Sequence, residues 1–202
     1  MKVRAQIPGV KNATNFNVVA DSKTPVGSTL ENLKAAIAGE TAAYTKYMTF
    51  AKAAREQGYE QAARLFEATA AAELIHIDLE YTLVAQMDPD YEKPAVQAPA
   101  SYSCDLNLIS GANGEIYETS DMYPAFIKKA QEEGNNKAVA VFTRAKLAEA
   151  VHAELYLGAY NDLDAPDDDR FHLCPVCGYI HKGEDFEKCP ICFRLKDSFT
   201  AY

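Results

Sequence analysis

The sequence predicts an all-α four-helix bundle followed by a small domain folded around a metal ion. Three observations carry that expectation. Apolar residues recur at helical spacing in four segments; a Glu-x-x-His pair recurs in two of those segments; and four of the five cysteines form two Cys-x-x-Cys pairs near the C-terminal end.

The first helix is signalled by Ser28-Thr-Leu-Glu31, a capping box just ahead of the apolar stripe Leu33, Ile37, Tyr44, Tyr47 and Ala51, and it should end near Gly58. A second helix is expected from about Glu60 to Met87, where Leu65, Thr69, Ala72, His76, Leu79 and Leu83 share a face and Asp88-Pro89 stops the run. A connection rich in Pro, Ser and Ala follows, from roughly 90 to 113. It suits a crossover that lets the third helix run alongside the second in the required direction. The third segment is read from about Gly114 to Glu133, with Pro124 kinking or breaking it. The fourth, from about Asn136 to Leu163, lines Val141, Ala145, Ala148, His152, Leu155 and Ala159 along one face.

These elements divide the chain into an unassigned segment 1–27, a bundle 28–163, an acidic linker 164–170 and a small domain 171–202. The length of 202 residues accommodates one medium domain and one small one. With 20 basic against 29 acidic residues the net charge is −9, the wrong sign for a nucleic-acid or anionic-membrane partner. The chain shows neither a secretory h-region nor an apolar run of membrane-spanning length, so a cytoplasmic protein is expected.

The small domain reads Phe171-His-Leu-Cys174-Pro-Val-Cys177-Gly-Tyr179, then Cys189-Pro-Ile-Cys192. Each Cys-x-x-Cys turn can aim two thiolates at one ion, and two such turns complete a tetrahedral all-sulfur site selecting iron or zinc. So short a domain cannot bury a sufficient core, so the metal supplies much of its folding free energy. Tyr179, Phe186 and Phe199 would form the remaining packing, while Cys104 is left without an expected role. A zinc ribbon stapling the tail remains open on this motif alone.

The bundle decides between the readings. Glu40 lies in register between Ile37 and Tyr44, so amphipathic packing would bury a carboxylate there at a cost unless a cation compensates it. Glu73 with His76 and Glu149 with His152 each put a carboxylate and an imidazole on one helix face, and the third helix adds Glu115 and Glu118. One Glu from each of two helices plus Glu-x-x-His from each of the other two is the ligand set of ferritin-like di-metal carboxylate proteins. Carboxylates stabilise iron in both redox states, and one imidazole per ion leaves positions open for an oxygen species. Tyr44, Tyr47 and Tyr123 are candidates to hydrogen-bond the ligating carboxylates.

Taken together, Leu33 to Glu40, Glu73-x-x-His76, Gly114-Glu115-Ile-Tyr-Glu118, Met122-Tyr-Pro124, Glu149-x-x-His152 and the four-cysteine tail resemble the rubrerythrin family over about residues 28–202. The tail is similar to rubredoxin, departing from its second knuckle by Phe193 where glycine is usual. The resemblance implies two irons in the bundle and one in the four-cysteine site, zinc being a conceivable substitute there. It implies Glu40 and Glu115 as terminal ligands, Glu73 and Glu149 as bridges, and Glu118 as the catalytic carboxylate that replaces His76 on one iron as the redox state changes. The implied activity is reduction of hydrogen peroxide to water, fed by a NAD(P)H-dependent reductase or a rubredoxin. It further implies a homodimer or larger assembly in which one subunit's rubredoxin-like domain lies near another's bundle centre. The alternatives are a ferroxidase or iron-handling bundle, which would not need a fused electron carrier, and a zinc-stapled scaffold without turnover.

Overall fold

The computed structural model describes residues 24–202, so the unassigned N-terminal segment lies almost wholly outside the described residues. Four helical rods build the bundle. The first two are α1 (Thr29–Glu56) and α2 (Glu60–Met87), close to their expected bounds. The Ser28 and Glu31 capping box starts α1, and Gly58, at φ 82°, makes the left-handed turn between the two. At the far end Gly134, also left-handed at φ 69°, precedes Asn135, whose side chain accepts from the Ala138 amide and opens α5 (Asn136–Asn161).

The third rod corrects the expected boundaries. It begins at Cys104, ten residues before the predicted start, as α3 (Cys104–Tyr117), continues through a π-helical turn (Glu118–Met122), and finishes as α4 (Tyr123–Glu132). Cys104 and Leu108, 1 % and 0 % exposed, bury the extra turns in the core. Gly111 permits the close approach, since a Cβ there would stand 3.0 Å from the Tyr156 ring. Pro124 falls in the first turn of α4, where its missing N–H costs nothing, and the π-turn ahead of it absorbs the change in phase. The connection before Cys104 is accordingly shorter than expected.

The apolar residues form two clusters, one at each end of the bundle. One gathers Tyr47, Phe50, Leu65, Phe66, Leu108 and Tyr156; the other gathers Leu33, Ile37, Val84, Tyr123, Phe126 and Phe142. Along every rod the chain passes from one cluster to the other through the same few positions: Glu40 on α1, Glu73 and His76 on α2, Glu115 and Glu118 on the third rod, and Glu149 and His152 on α5. The result is a polar layer sandwiched between two greasy ends.

The small domain carries a three-stranded antiparallel sheet in the order β2-β1-β3, from β1 (Phe171–Leu173), β2 (Ile180–Lys182) and β3 (Thr200–Ala201). It is not merely tethered. Phe171, Leu173 and Ile180 are each under 5 % exposed and complete the Tyr47 and Phe66 cluster of the bundle. The acidic linker is partly docked as well, through Asp167 to Lys182 and through the Asp169 carbonyl, which accepts from Gln61 at 2.6 Å. Phe186 and Phe199 pack in a tilted pair at 4.9 Å between ring centroids, part of the small domain's own aromatic core. No helix among the described residues is long and apolar enough to cross a membrane.

Candidate metal centres

The polar layer is closed to solvent. Glu40, Glu73, His76, Glu115, Glu149 and His152 are 0 % exposed and Glu118 is 6 % exposed. Their ligand atoms fall into two groups, each within 4.8 Å: Glu40, Glu73, His76 and Glu149 in one, and Glu73, Glu115, Glu149 and His152 in the other. Glu73 and Glu149 belong to both. His76 Nδ1 stands 2.6 Å from Glu149 Oε1 and 3.3 Å from Glu73 Oε2, while His152 Nδ1 stands 2.6 Å from Glu149 Oε2 and 3.7 Å from Glu115 Oε2.

The outward sides of these groups are held. Tyr47 donates to Glu115 Oε1 in a short hydrogen bond, and Tyr123 donates to Glu40 Oε1 in another. Tyr44 corrects the third expectation: it is half-buried against the apolar cluster and gives the carboxylates no hydrogen bond. The inward sides are not held. Both oxygens of Glu73 and of Glu149, one oxygen each of Glu40, Glu115 and Glu118, and both Nδ1 atoms are buried without a hydrogen-bond partner among the described residues. Such orphans converging on one spot are costly unless a cation takes them.

The protonation equilibria say the same. Burial, then repulsion from Glu118 and Glu73, pushes the Glu40 carboxyl well above the usual range, and burial with Glu73 and Glu149 nearby pushes Glu115 to about 8. Glu118 is raised by burial and by Glu115. Burial disfavours a charged imidazole, but Glu149 outweighs it at both His76 and His152, which are held well above the ordinary histidine range. Glu149 is raised by burial yet held low overall by the two imidazoles. Protons are drawn onto Glu40, Glu115, Glu118, His76 and His152, where metal charge would serve instead, so the donor set fits a pair of hard cations.

Each imidazole turns its other nitrogen to the small domain. His76 Nε2 donates to the Cys177 carbonyl at 3.1 Å and His152 Nε2 to the Gly178 carbonyl at 2.9 Å. A carbonyl can only accept, so the contact fixes the proton on Nε2 and leaves the Nδ1 lone pair for the bundle centre. Gly178 is required twice over: its φ is 76°, and a Cβ would collide with His76 Nε2. The domain that makes these two contacts is the chain's own.

Within that domain Cys174, Cys177 and Cys189 are fully buried and Cys192 is half-buried. Cys174 Sγ lies 3.4 Å from Cys192 Sγ and Cys177 Sγ 3.5 Å from Cys189 Sγ, near the ~3.8 Å edge of a tetrahedron with metal–sulfur bonds of about 2.3 Å. The Ile191 and Cys192 amides point at Cys189 Sγ, both at 3.4 Å. The thiols depend on one another: hydrogen bonding from Cys177 lowers Cys174 to about 5, and Cys177 is raised in turn. Phe193 occupies the expected glycine position with φ 61°, so the knuckle keeps its left-handed turn despite the side chain.

One buried carboxylate in this region escapes the sequence reading. Glu80 is 0 % exposed, accepts or donates at the Tyr123 hydroxyl at 3.1 Å, and burial pushes it to about 8. Its spacing was the available signal, since it lies on the same α2 face as Glu73 and His76.

Known proteins carry the same architecture. The family model described as Rubrerythrin matches residues 31–160, and that of the rubrerythrin rubredoxin-like domain matches residues 172–200. The chain is 85 % identical to nigerythrin of Nitratidesulfovibrio vulgaris over 202 residues, covering 100 % of both. It is 32 % identical to a rubrerythrin of Porphyromonas gingivalis over 91 % of this chain and 92 % of that one. A solved structure titled as the fully reduced, all-ferrous state of nigerythrin superposes with a TM-score of 0.91 at 85 % identity, covering 100 % of both chains. The chain therefore belongs to the rubrerythrin family, with a di-iron centre in its bundle and one iron in its four-cysteine site.

Proposed function

We propose that this protein reduces hydrogen peroxide to water, using electrons relayed from its four-cysteine iron to its bundle centre. The observation that carries the reading is the sharing of Glu73 and Glu149 between two donor groups that each contain one imidazole. Glu73 and Glu149 would be shared by the two irons, and Glu40 with His76 would hold one and Glu115 with His152 the other. When bound, a ferrous pair supplies the two electrons that O–O cleavage consumes.

The protein's own groups prepare that chemistry. Tyr47 and Tyr123 hold one oxygen of Glu115 and Glu40 and leave the other free to ligate. Glu118 stands outside both donor groups yet is buried beside them, which supports its exchange with His76 at one iron. The hydrogen bond from His76 to the Cys177 carbonyl joins a cysteine ligand of one centre to an imidazole of the other, a short route for electrons arriving singly. Cys192, the half-buried ligand, suits the entry side for electrons from a NAD(P)H-dependent reductase or a rubredoxin. The same reading includes a cytoplasmic homodimer or larger assembly, with units at 28–163 and 171–202 joined by 164–170.

A stopped-flow comparison tests it. The anaerobically reduced, iron-loaded protein should be oxidised far faster by hydrogen peroxide than by O₂. The reverse order would make it a ferroxidase instead.

A further inference from the structure

Glu80 sits on α2 four residues beyond His76 and seven beyond Glu73, within the closed part of the bundle. It belongs to neither donor group, and among the described residues no lysine or arginine pairs with it. Its hydrogen-bond contact is the Tyr123 hydroxyl, 3.1 Å from Glu80 Oε1. That same hydroxyl makes the short bond to Glu40 Oε1.

A phenol carries a single proton, and here two carboxyl oxygens face it. If Tyr123 donates to Glu40, the bond to Glu80 needs a proton from Glu80. The alternative, two bare carboxylates against one donor, would leave an uncompensated buried charge at Glu80, which is the costlier arrangement. The neutral acid then donates to Tyr123, and Tyr123, polarised by that bond, donates more strongly to Glu40. Glu40 is left with Oε2 as its unpartnered oxygen, the atom it offers to the bundle centre.

We propose that Glu80 is a positioning residue: as a buried neutral acid it holds Tyr123, and through Tyr123 it sets the orientation of Glu40 at the di-iron centre. The proposal rests on Glu40 being a metal ligand. It assigns Glu80 no contact with metal or substrate. Leucine at this position would fill the space but leave Tyr123 without its donor; glutamine would restore a donor in its amide N–H.

The test uses the full chain as Glu80→Gln, Glu80→Leu, Tyr123→Phe, Tyr123→Phe with Glu80→Leu, and Glu40→Ala. Each is titrated anaerobically with Fe²⁺, then oxidised and recorded by Mössbauer spectroscopy, with the visible band of the four-cysteine iron as internal control. Glu80→Leu should weaken Fe²⁺ binding in the bundle by about tenfold and alter the signal of one iron of the pair. Glu80→Gln should restore both, and the double variant should be no weaker than Tyr123→Phe alone, because the two residues act in series. A Glu80→Leu protein with unchanged affinity and spectrum overturns the proposal, as does one that glutamine fails to rescue. Should Glu40→Ala itself bind Fe²⁺ normally, Glu40 leaves the ligand set and the proposal falls with it. That failure is distinct from a weakened Glu40→Ala beside a normal Glu80→Leu, which removes Glu80 alone.

Discussion

Gly178 and His76 meet so closely that any side chain on the glycine would collide with the imidazole Nε2. The first knuckle of the small domain is thereby docked on the bundle centre through backbone alone, with the Cys177 and Gly178 carbonyls taking one N–H from each imidazole. The two metal centres are coupled structurally at this contact. It places the proton of His76 and of His152 on Nε2.

Gly178→Ala should therefore act on both centres. The left-handed φ of 76° costs an alanine about 1–2 kcal/mol before the collision is counted. The expected outcome is a lower thermal midpoint and a slower electron transfer from the four-cysteine iron to the bundle, read by adding peroxide to the fully reduced protein and following the growth of the ferric tetrathiolate band. An unchanged transfer rate would mean that electrons do not cross at this contact.

The metal-free protein should lose stability as pH rises. Glu115 is pushed from 4.5 to about 8 and Glu40 and Glu118 are raised by burial, so the folded chain holds protons that the unfolded chain has released. The raised imidazoles work in the same direction. Stability then falls with pH, from about 5 to about 8, because the folded state binds more protons throughout that window. Thermal melts of chelated protein across that window check the sign; refilling with Fe²⁺ should flatten or invert the slope.

Tyr47→Phe isolates one carboxylate. It removes the short bond to Glu115 Oε1 and leaves a buried oxygen without a donor, at a cost of about 1–3 kcal/mol. Iron affinity in the bundle should drop by about tenfold while the four-cysteine iron is retained. Tyr44→Phe, by contrast, should be silent, since Tyr44 packs against the apolar cluster and reaches no carboxylate. Parallel iron titrations of the two variants make the comparison direct.

What could be read beforehand followed from local rules. Glu40, both Glu-x-x-His pairs and both cysteine knuckles were legible because helical period and knuckle spacing put donors on one side of one element, and so were the caps of α1 and the stop of α2. The start of α3 was not. Its Asn107, Gly111, Asn113 and Gly114 read as a poor helix, and long-range packing, including the burial of Cys104 and Leu108 and the fit of Gly111 against Tyr156, holds it helical. Glu80 shares the α2 face of Glu73 and His76, but that spacing does not assign it a role until the partner across the bundle, Tyr123, is known. The docking of Phe171 and Ile180 on the bundle leaves no local pattern at all.

Phe193 offers the last test, in which two small terms oppose each other. Its φ of 61° is the conformation for which rubredoxin-like knuckles use glycine, and a non-glycine residue there costs about 1–2 kcal/mol. Glycine would relieve that strain but give the unfolded chain more freedom, worth about 0.4–1 kcal/mol the other way. Little packing is at stake, because the residue is 66 % exposed and its ring faces the Lys188 ammonium, 5.4 Å from the centroid. The strain term is the larger, so Phe193→Gly should stabilise the small domain by about 0.5–1 kcal/mol. The amides of Ile191 and Cys192 stay aimed at Cys189, so the visible spectrum of the iron should not move. Chemical denaturation followed at that band measures the difference. A destabilised Phe193→Gly protein would mean that the exposed ring contributes more to the folded domain than its few contacts can explain.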